Sequence, residues 1–183
     1  MTHQARPNPV ETFDSAAKRA RQTVAGVKAN QLTSPTPCTE WNVQALLDHM
    51  VGTLNFVASS LSATPPAQAK GSLEAFDAGV AAVSKAARMP GALEKKVKSP
   101  MGEMPGQVFV MIAVSDTLIH GWDLAKATGQ DTKLDPKNVE MVHGFMSMQA
   151  EAARKRKALG SEVKVPENAS AQDKLMGMCG RKP

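Results

Sequence analysis

The residues best suited to chemistry are one isolated histidine and a group of acidic and imidazole side chains later in the chain. Asp116 and His120 are four residues apart, and Asp123 follows three residues later. On an α-helix this spacing places all three side chains along one face. His49 lies in an earlier helical segment, at the edge of its apolar stripe. Two imidazoles and a carboxylate form an ordinary ligand set for Zn²⁺ or Ni²⁺, so one hypothesis is a metal site at His49, Asp116 and His120.

The same residues have simpler interpretations. A histidine at the margin of an apolar face is more often a packing residue than a ligand, and an Asp and a His four apart are commonly a favourable surface pair. Asp123 could accept a hydrogen bond from an imidazole N–H behind a metal. It could equally cap local backbone or pair with Lys126. Spacing alone leaves these alternatives open.

Other side chains with reactive groups give weaker patterns. Cys38 and Cys179 are far apart, which excludes a zinc site built on paired thiolates. Cys38 precedes a predicted helix whose N-terminus would lower the pKa of its thiol if the thiol faced it, so a reactive cysteine is a second hypothesis. We predict structural or surface roles for His3, which lies in an N-terminal region expected to be mobile, and for His143, which has no carboxylate four residues away.

Composition bounds the class of protein. A chain of 183 residues with 42% apolar residues predicts one domain, residues 1–183, with a single hydrophobic core. No apolar run approaches the roughly 20 residues that span a bilayer, so no membrane partner is expected. The first nine residues lack the apolar stretch of a secretory signal, so we expect a cytoplasmic protein.

The net charge of +5 raises the question of nucleic-acid binding. The basic clusters at residues 94–98, 154–157 and 181–182 are not interleaved with aromatic residues, and the chain has only five phenylalanines and two tryptophans. Because little is available to stack on bases, we predict no nucleic-acid partner. We interpret the clusters as solvated faces and helix ends.

Apolar residues recur at three- and four-residue spacings through most of the chain. Prolines interrupt the pattern, for example at Pro65 and Pro66. The segment 90–105 is predicted to be a long ordered loop, and strand signals are weak throughout. The pattern predicts an all-α four-helix bundle with a core of residues 10–158 and an additional C-terminal helical segment and tail, 159–183, packed on it. The predicted helices span about residues 10–31, 42–62, 72–89, 106–128, 136–158 and 171–178.

Two motifs resemble a known family. Residues 35–43, PTPCTEWNV, and 46–52, LLDHMVG, resemble the N-terminal signature of the DinB/YfiT-like superfamily. The greatest similarity is to its actinobacterial metal-binding branch, which includes the mycothiol-dependent maleylpyruvate isomerases. Residues 116–125, DTLIHGWDLA, resemble the second signature of that branch. Residues 165–175 and 180–183 resemble its C-terminal ending, so the likeness covers most of the chain.

The resemblance implies a DinB-like bundle that holds a metal with one histidine of the second helix and an acid-or-His, x-x-x, His pair of a later helix. Matched position by position, these ligands are His49, Asp116 and His120. Asp116 departs from the family, because the isomerases have glutamate there and many relatives have histidine. Aspartate is one methylene shorter, so either the metal shifts toward the later helix or a water intervenes.

The family also implies a function. Its characterised members are transferases and isomerases that use mycothiol, bacillithiol or glutathione, and others are metal-binding proteins of unknown activity. We expect a metalloenzyme in which Zn²⁺, or else Ni²⁺, activates a thiol such as mycothiol toward an electrophile, with Asp123 as an orienting residue. Basic residues of the 94–98 loop could hold the anionic thiol. The catalytic residues and the cofactor-binding residues are not predicted.

The expected partners are therefore a small-molecule thiol and an electrophile, and the expected assembly is a monomer or a homodimer. We expect no separate C-terminal domain of the kind that the isomerases have, so their substrate is not transferred to this chain. The alternatives are a non-catalytic metal-binding or stress-related protein with a structural metal, and an interaction module without a metal.

Overall fold

The computed structural model describes residues 8–62, 71–99 and 102–183; His3 and the predicted helix break at Pro65 and Pro66 lie outside them. The described chain is mainly helical, with one short antiparallel hairpin and a 3₁₀ turn, Ala29–Gln31, after the first helix. The elements are α1 (Pro9–Ala25), α2 (Val43–Ser62), α3 (Leu73–Ala87), β1 (Lys96–Ser99), β2 (Gly102–Pro105), α4 (Gly106–Thr128), α5 (Pro136–Lys155) and α6 (Ala171–Met178).

Helix α4 is the centre of the bundle. It packs along α1 and α2, and it also contacts α3 and α5. Each of the first four helices contributes a fully buried large side chain to a common core: Phe13, Leu54, Phe76 and Phe109. By length and composition α4 could cross a membrane, but most of it is buried inside the protein, as a core helix is. The predicted all-α four-helix bundle is confirmed.

The helices next to the site begin and end where local chemistry requires. Asn42 accepts a hydrogen bond from the backbone N–H of Ala45 at 2.9 Å, so Asn42 rather than Thr39 caps α2. Helix α4 ends before Gly129, which has the left-handed φ of 71° that glycine adopts without strain. These two boundaries fix the axial positions of the two helices that carry the predicted ligands.

Two predictions about local structure were wrong. Helix α1 ends at Ala25 instead of near residue 31, because Gln130 Nε2 donates to the carbonyl of Thr23 at 2.9 Å and Gly26 follows. The predicted loop contains the β1–β2 hairpin, in which Val97 is buried in the core while its neighbours face outward. A strand of four residues is too short for alternation to stand out in the sequence.

The C-terminal segment is packed into the bundle. Leu175 and Met176 of α6 are fully buried. Gly180 then adopts a left-handed φ of 83°, and Arg181 N donates to the carbonyl of Met176 at 2.9 Å. This turn directs the side chain of Arg181 inward, where it is only 9% exposed. The interpretation of residues 181–182 as solvated charge was therefore wrong for Arg181.

Candidate metal centre

Three predicted ligands converge between α2 and α4. The Nε2 atom of His49 lies 2.9 Å from Oδ1 of Asp116, and Nε2 of His120 lies 3.6 Å from the same oxygen. One ligand atom from each of the three side chains lies within 4.8 Å of the others. The structure therefore brings His49 together with Asp116 and His120, although His49 precedes Asp116 by 67 residues in the sequence.

The donor atoms fit a divalent ion. Zinc binds imidazole nitrogen and carboxylate oxygen at about 2.0–2.2 Å, which places tetrahedral ligands about 3.4 Å apart. The observed separations of 2.9 and 3.6 Å lie on either side of this value. The side chain of His49 is 33% exposed, against 13% for Asp116 and 12% for His120. Water or a small molecule can therefore approach from the His49 side.

Thr53 holds the side chain of Asp116, which is the shortest of the three candidate ligands. Thr53, one turn after His49 on α2, donates from Oγ1 to Oδ1 of Asp116 at 3.2 Å. Asp116 reaches His49 directly in spite of its short side chain, so the missing methylene leaves no gap between them. Sequence analysis did not identify Thr53, although its four-residue spacing from His49 was a usable signal.

On the other side of His120, its Nδ1 lies 2.9 Å from Oδ2 of Asp123, a carboxylate with no solvent exposure. Burial alone would raise the pKa of Asp123, but hydrogen bonds and charges from His120 and Arg181 hold this pKa below its usual value. Because an ionised carboxylate only accepts, His120 donates from Nδ1. Asp123 therefore has the first of its three predicted roles, as the acceptor for an imidazole N–H. It does not pair with Lys126, whose ammonium group lies over the ring of Trp122.

Arg181 belongs to this cluster, and the sequence analysis did not identify it. Its Nε lies 3.1 Å from Oδ1 of Asp123, and its Nη2 lies 2.7 Å from Oδ2. The guanidinium therefore binds the carboxylate with two parallel contacts, the geometry that Arg favours. The sequence did contain one indication that such a partner exists. Asp123 lies on a predicted core helix, and a buried carboxylate needs a cation from elsewhere in the chain.

An aromatic ring covers the two imidazoles. The ring centroid of Trp41 lies 4.4 Å from that of His49 and 5.8 Å from that of His120. Burial tends to lower the pKa of His49, but its hydrogen bond to Asp116 and the charge of that carboxylate outweigh burial and raise it. Trp41 and Asp116 thus bracket His49 with an apolar wall on one side and a negative charge on the other.

Cys38 lies next to this cluster without the features of a nucleophile. Its Sγ lies 3.4 Å from Oδ2 of Asp123 and accepts from Nη2 of Arg181 at 2.9 Å. Burial and the charge of Asp123 raise the pKa of the Cys38 thiol to about 12, against the lowering effect of Arg181. The predicted lowering by the helix N-terminus was wrong. Cys38, His120 and Asp123 could also hold an ion by distance, but the cation of Arg181 already occupies that side.

The basic loop lies away from the cluster. The β1–β2 hairpin ends where α4 begins, and Asp116 is ten residues further along that helix. At a rise of 1.5 Å per residue this is about 15 Å. Lys96 pairs with Glu103 at 3.5 Å across the hairpin. The expectation that residues 94–98 contact a thiol at the site is therefore not supported, and His143 lies on α5 outside both possible metal clusters of the described residues.

Comparison with known proteins places this cluster in a family. The sequence model of the mycothiol maleylpyruvate isomerase N-terminal domain matches residues 13–125, which include the three candidate ligands and Asp123. Two uncharacterized proteins of Mycobacterium tuberculosis, from strains CDC 1551 and H37Rv, are each 34% identical over 178 residues, which is 95% of this chain and 98% of the relative. No solved structure matches the chain significantly.

The first prediction concerns Cys38. With a pKa of about 12, its thiolate is scarce at pH 8 and becomes abundant only near pH 12. We expect iodoacetamide to alkylate Cys38 in the native, chelator-treated protein at least about 100-fold more slowly than in the urea-unfolded chain, where a free cysteine has its ordinary pKa. Peptide mass spectrometry separates Cys38 from Cys179. Equal rates in the two states would contradict the described environment.

Proposed function

The chain belongs to the family of mycothiol maleylpyruvate isomerase N-terminal domains, and we propose that it is a thiol-dependent transferase or isomerase with one divalent metal ion. His49, Asp116 and His120 hold the ion, and the thiol is a low-molecular-weight compound of the mycothiol type. The observation that carries the proposal is the convergence of two imidazole nitrogens and one carboxylate oxygen within 4.8 Å.

The donor set favours zinc. Imidazole nitrogen and carboxylate oxygen both suit Zn²⁺, and three protein ligands with a fourth position open are the usual arrangement of a catalytic zinc site. Ni²⁺ also accepts such ligands. The greater exposure of His49 supports an open position on that side of the cluster. We therefore propose Zn²⁺ as the native ion, with Ni²⁺ as the alternative.

A bound divalent ion would supply a positive charge that favours the ionised form of a coordinated thiol near neutral pH. The residues around it have separate tasks. Thr53 holds Asp116 in place by donating from Oγ1 to Oδ1. Asp123 keeps the proton of His120 on Nδ1 and so leaves Nε2 free as a ligand atom. Trp41 shields both imidazoles from water on one side and offers an apolar surface to the substrate.

A structural role for the metal is the second candidate. His49 belongs to α2 and the other two ligands to α4, so an ion there would join two helices of the bundle. Such a protein would lose much of its thermal stability without metal and would recognise no thiol. The two roles differ in whether a thiol binds at the metal-loaded site.

The second prediction concerns metal binding. Protein purified without an affinity tag should contain about one equivalent of metal, and His49→Ala and His120→Ala should each lose it. Loss of a ligand should weaken affinity by more than the ~10–100-fold that follows replacement of a residue behind a ligand. His143→Ala is the matched control, because His143 lies outside the cluster. Elemental analysis measures the content; stoichiometric metal in both ligand variants would refute the site.

The third prediction concerns catalysis. Calorimetric titration of mycothiol into the zinc-loaded protein should release or absorb heat, and at least one member of an electrophile panel should be converted in the presence of the thiol. A transferase would consume the thiol, and an isomerase would regenerate it. Both signals should disappear in the chelator-treated protein and in His120→Ala. If metal raises the melting temperature but neither signal is seen, the metal is structural and the enzymatic proposal fails.

A further inference from the structure

Arg181 is the third residue from the end of the chain, and its guanidinium lies directly behind the candidate metal site. We propose that Arg181 is a positioning residue for that site: acting through Asp123, it holds the His120 ring so that Nε2 faces the metal. The C-terminal segment then completes the site. The inference rests on the proposed function in that it assumes a metal at His120.

The contacts form a continuous chain from Arg181 to the candidate ligand. Both oxygens of Asp123 contact the guanidinium, at 3.1 and 2.7 Å, and Oδ2 also contacts Nδ1 of His120 at 2.9 Å. The opposite nitrogen of the same ring, Nε2, faces Asp116. Movement of Asp123 would therefore turn the ring that carries the ligand atom.

Electrostatics makes Asp123 depend on Arg181. Asp123 has no exposed surface, and a buried carboxylate is stable as a charge only when it is paired and hydrogen-bonded. His120 supplies one hydrogen bond, while Arg181 supplies a permanent opposite charge and two contacts. Because the ionised carboxylate must accept, the proton of the neutral imidazole stays on Nδ1. Arg181 thus selects the tautomer in which Nε2 has a free lone pair.

Arg181 has little capacity left for a substrate. Nη1 donates to the carbonyl of Cys179 at 2.6 Å, and Nη2 contacts both Asp123 and Sγ of Cys38. With Nε on Asp123, most of the five N–H groups of the guanidinium point at groups within the protein. The side chain is also only 9% exposed. These contacts indicate a role behind the site instead of direct binding of an anionic ligand.

The backbone before Arg181 turns so that the side chain of Arg181 points into the bundle. The left-handed φ of Gly180 reverses the chain after α6, and a Cβ at this position would lie 3.0 Å from the carbonyl oxygen of Ser161. Arg181 lies outside residues 13–125, the segment that matches the family domain. The candidate site therefore extends beyond that segment. By thermodynamic linkage, if the docked tail strengthens metal binding, bound metal must stabilise the docked tail.

The test compares zinc affinity in Arg181→Ala, Arg181→Lys and the control Lys182→Ala. Affinity is measured by competition with a chromophoric chelator, on protein shown to be folded by circular dichroism. We expect Arg181→Ala to bind zinc about 10–100-fold more weakly. Arg181→Lys keeps the charge but loses the planar fork, so we expect a loss of up to about tenfold. Lys182→Ala changes an exposed neighbouring cation and should match the wild type.

Two further readouts separate positioning from mere stability. In the metal-free wild type, ¹⁵N NMR of the side chains should show His120 protonated on Nδ1. In Arg181→Ala the two tautomers should be mixed, and in Arg181→Lys, which keeps the charge but loses the planar fork, the change should be in the same direction and smaller. In an Asp123→Asn background, replacing Arg181 should change zinc affinity less than about twofold further, since the two act as one unit. Hydrogen exchange in residues 175–183 should slow when zinc is added.

Wild-type affinity in folded Arg181→Ala, with an unchanged His120 tautomer, would overturn the inference. If Arg181→Ala does not fold, Arg181→Lys decides it on the same two measurements. A wild-type protein that binds neither zinc nor nickel would instead refute the proposed function, and the tautomer measurement on the metal-free protein would still test whether Arg181 positions His120.

Discussion

A fully buried negative charge in the central helix is the constraint on which this structure depends. Asp123 has no exposure to solvent, and such a charge is tolerated only when its partners are in place. Arg181 supplies the counter-charge, and His120 supplies a hydrogen bond on the other side. The need to pair Asp123 therefore ties the end of the chain to the helix that carries two of the candidate ligands.

The bundle turns this pairing into a site. Helices α2 and α4 pack side by side, which brings His49 within 2.9 Å of Asp116. The atoms that face solvent and the atoms that face the core have different partners. On the outer side, the three candidate ligand atoms lie close together next to Trp41. On the inner side, the carboxylate of Asp123 contacts Nδ1 of His120 and the guanidinium of Arg181. In metal centres the ligands typically bind the ion, while residues behind them orient the ligands through hydrogen bonds.

Sequence was sufficient for the elements whose signals are local. The periodicity of α2 and α4 gave both helices to within a residue, and the spacing of Asp116 and His120 placed them on one face. Long-range contacts had no such signal. Nothing local distinguishes Arg181 from its exposed neighbour Lys182, because its burial depends on a turn at Gly180 and on a carboxylate 58 residues away. The early end of α1 likewise depends on Gln130, more than 100 residues further along.

The most direct test of the central claim is a crystal structure of the zinc-loaded protein with anomalous data at the zinc edge. We expect one anomalous peak about 2.0–2.2 Å from Nε2 of His49, Oδ1 of Asp116 and Nε2 of His120, with Arg181 still bound to Asp123. No peak between these three atoms, or a peak at the Cys38 side of His120 with Arg181 displaced, would contradict the proposed metal site.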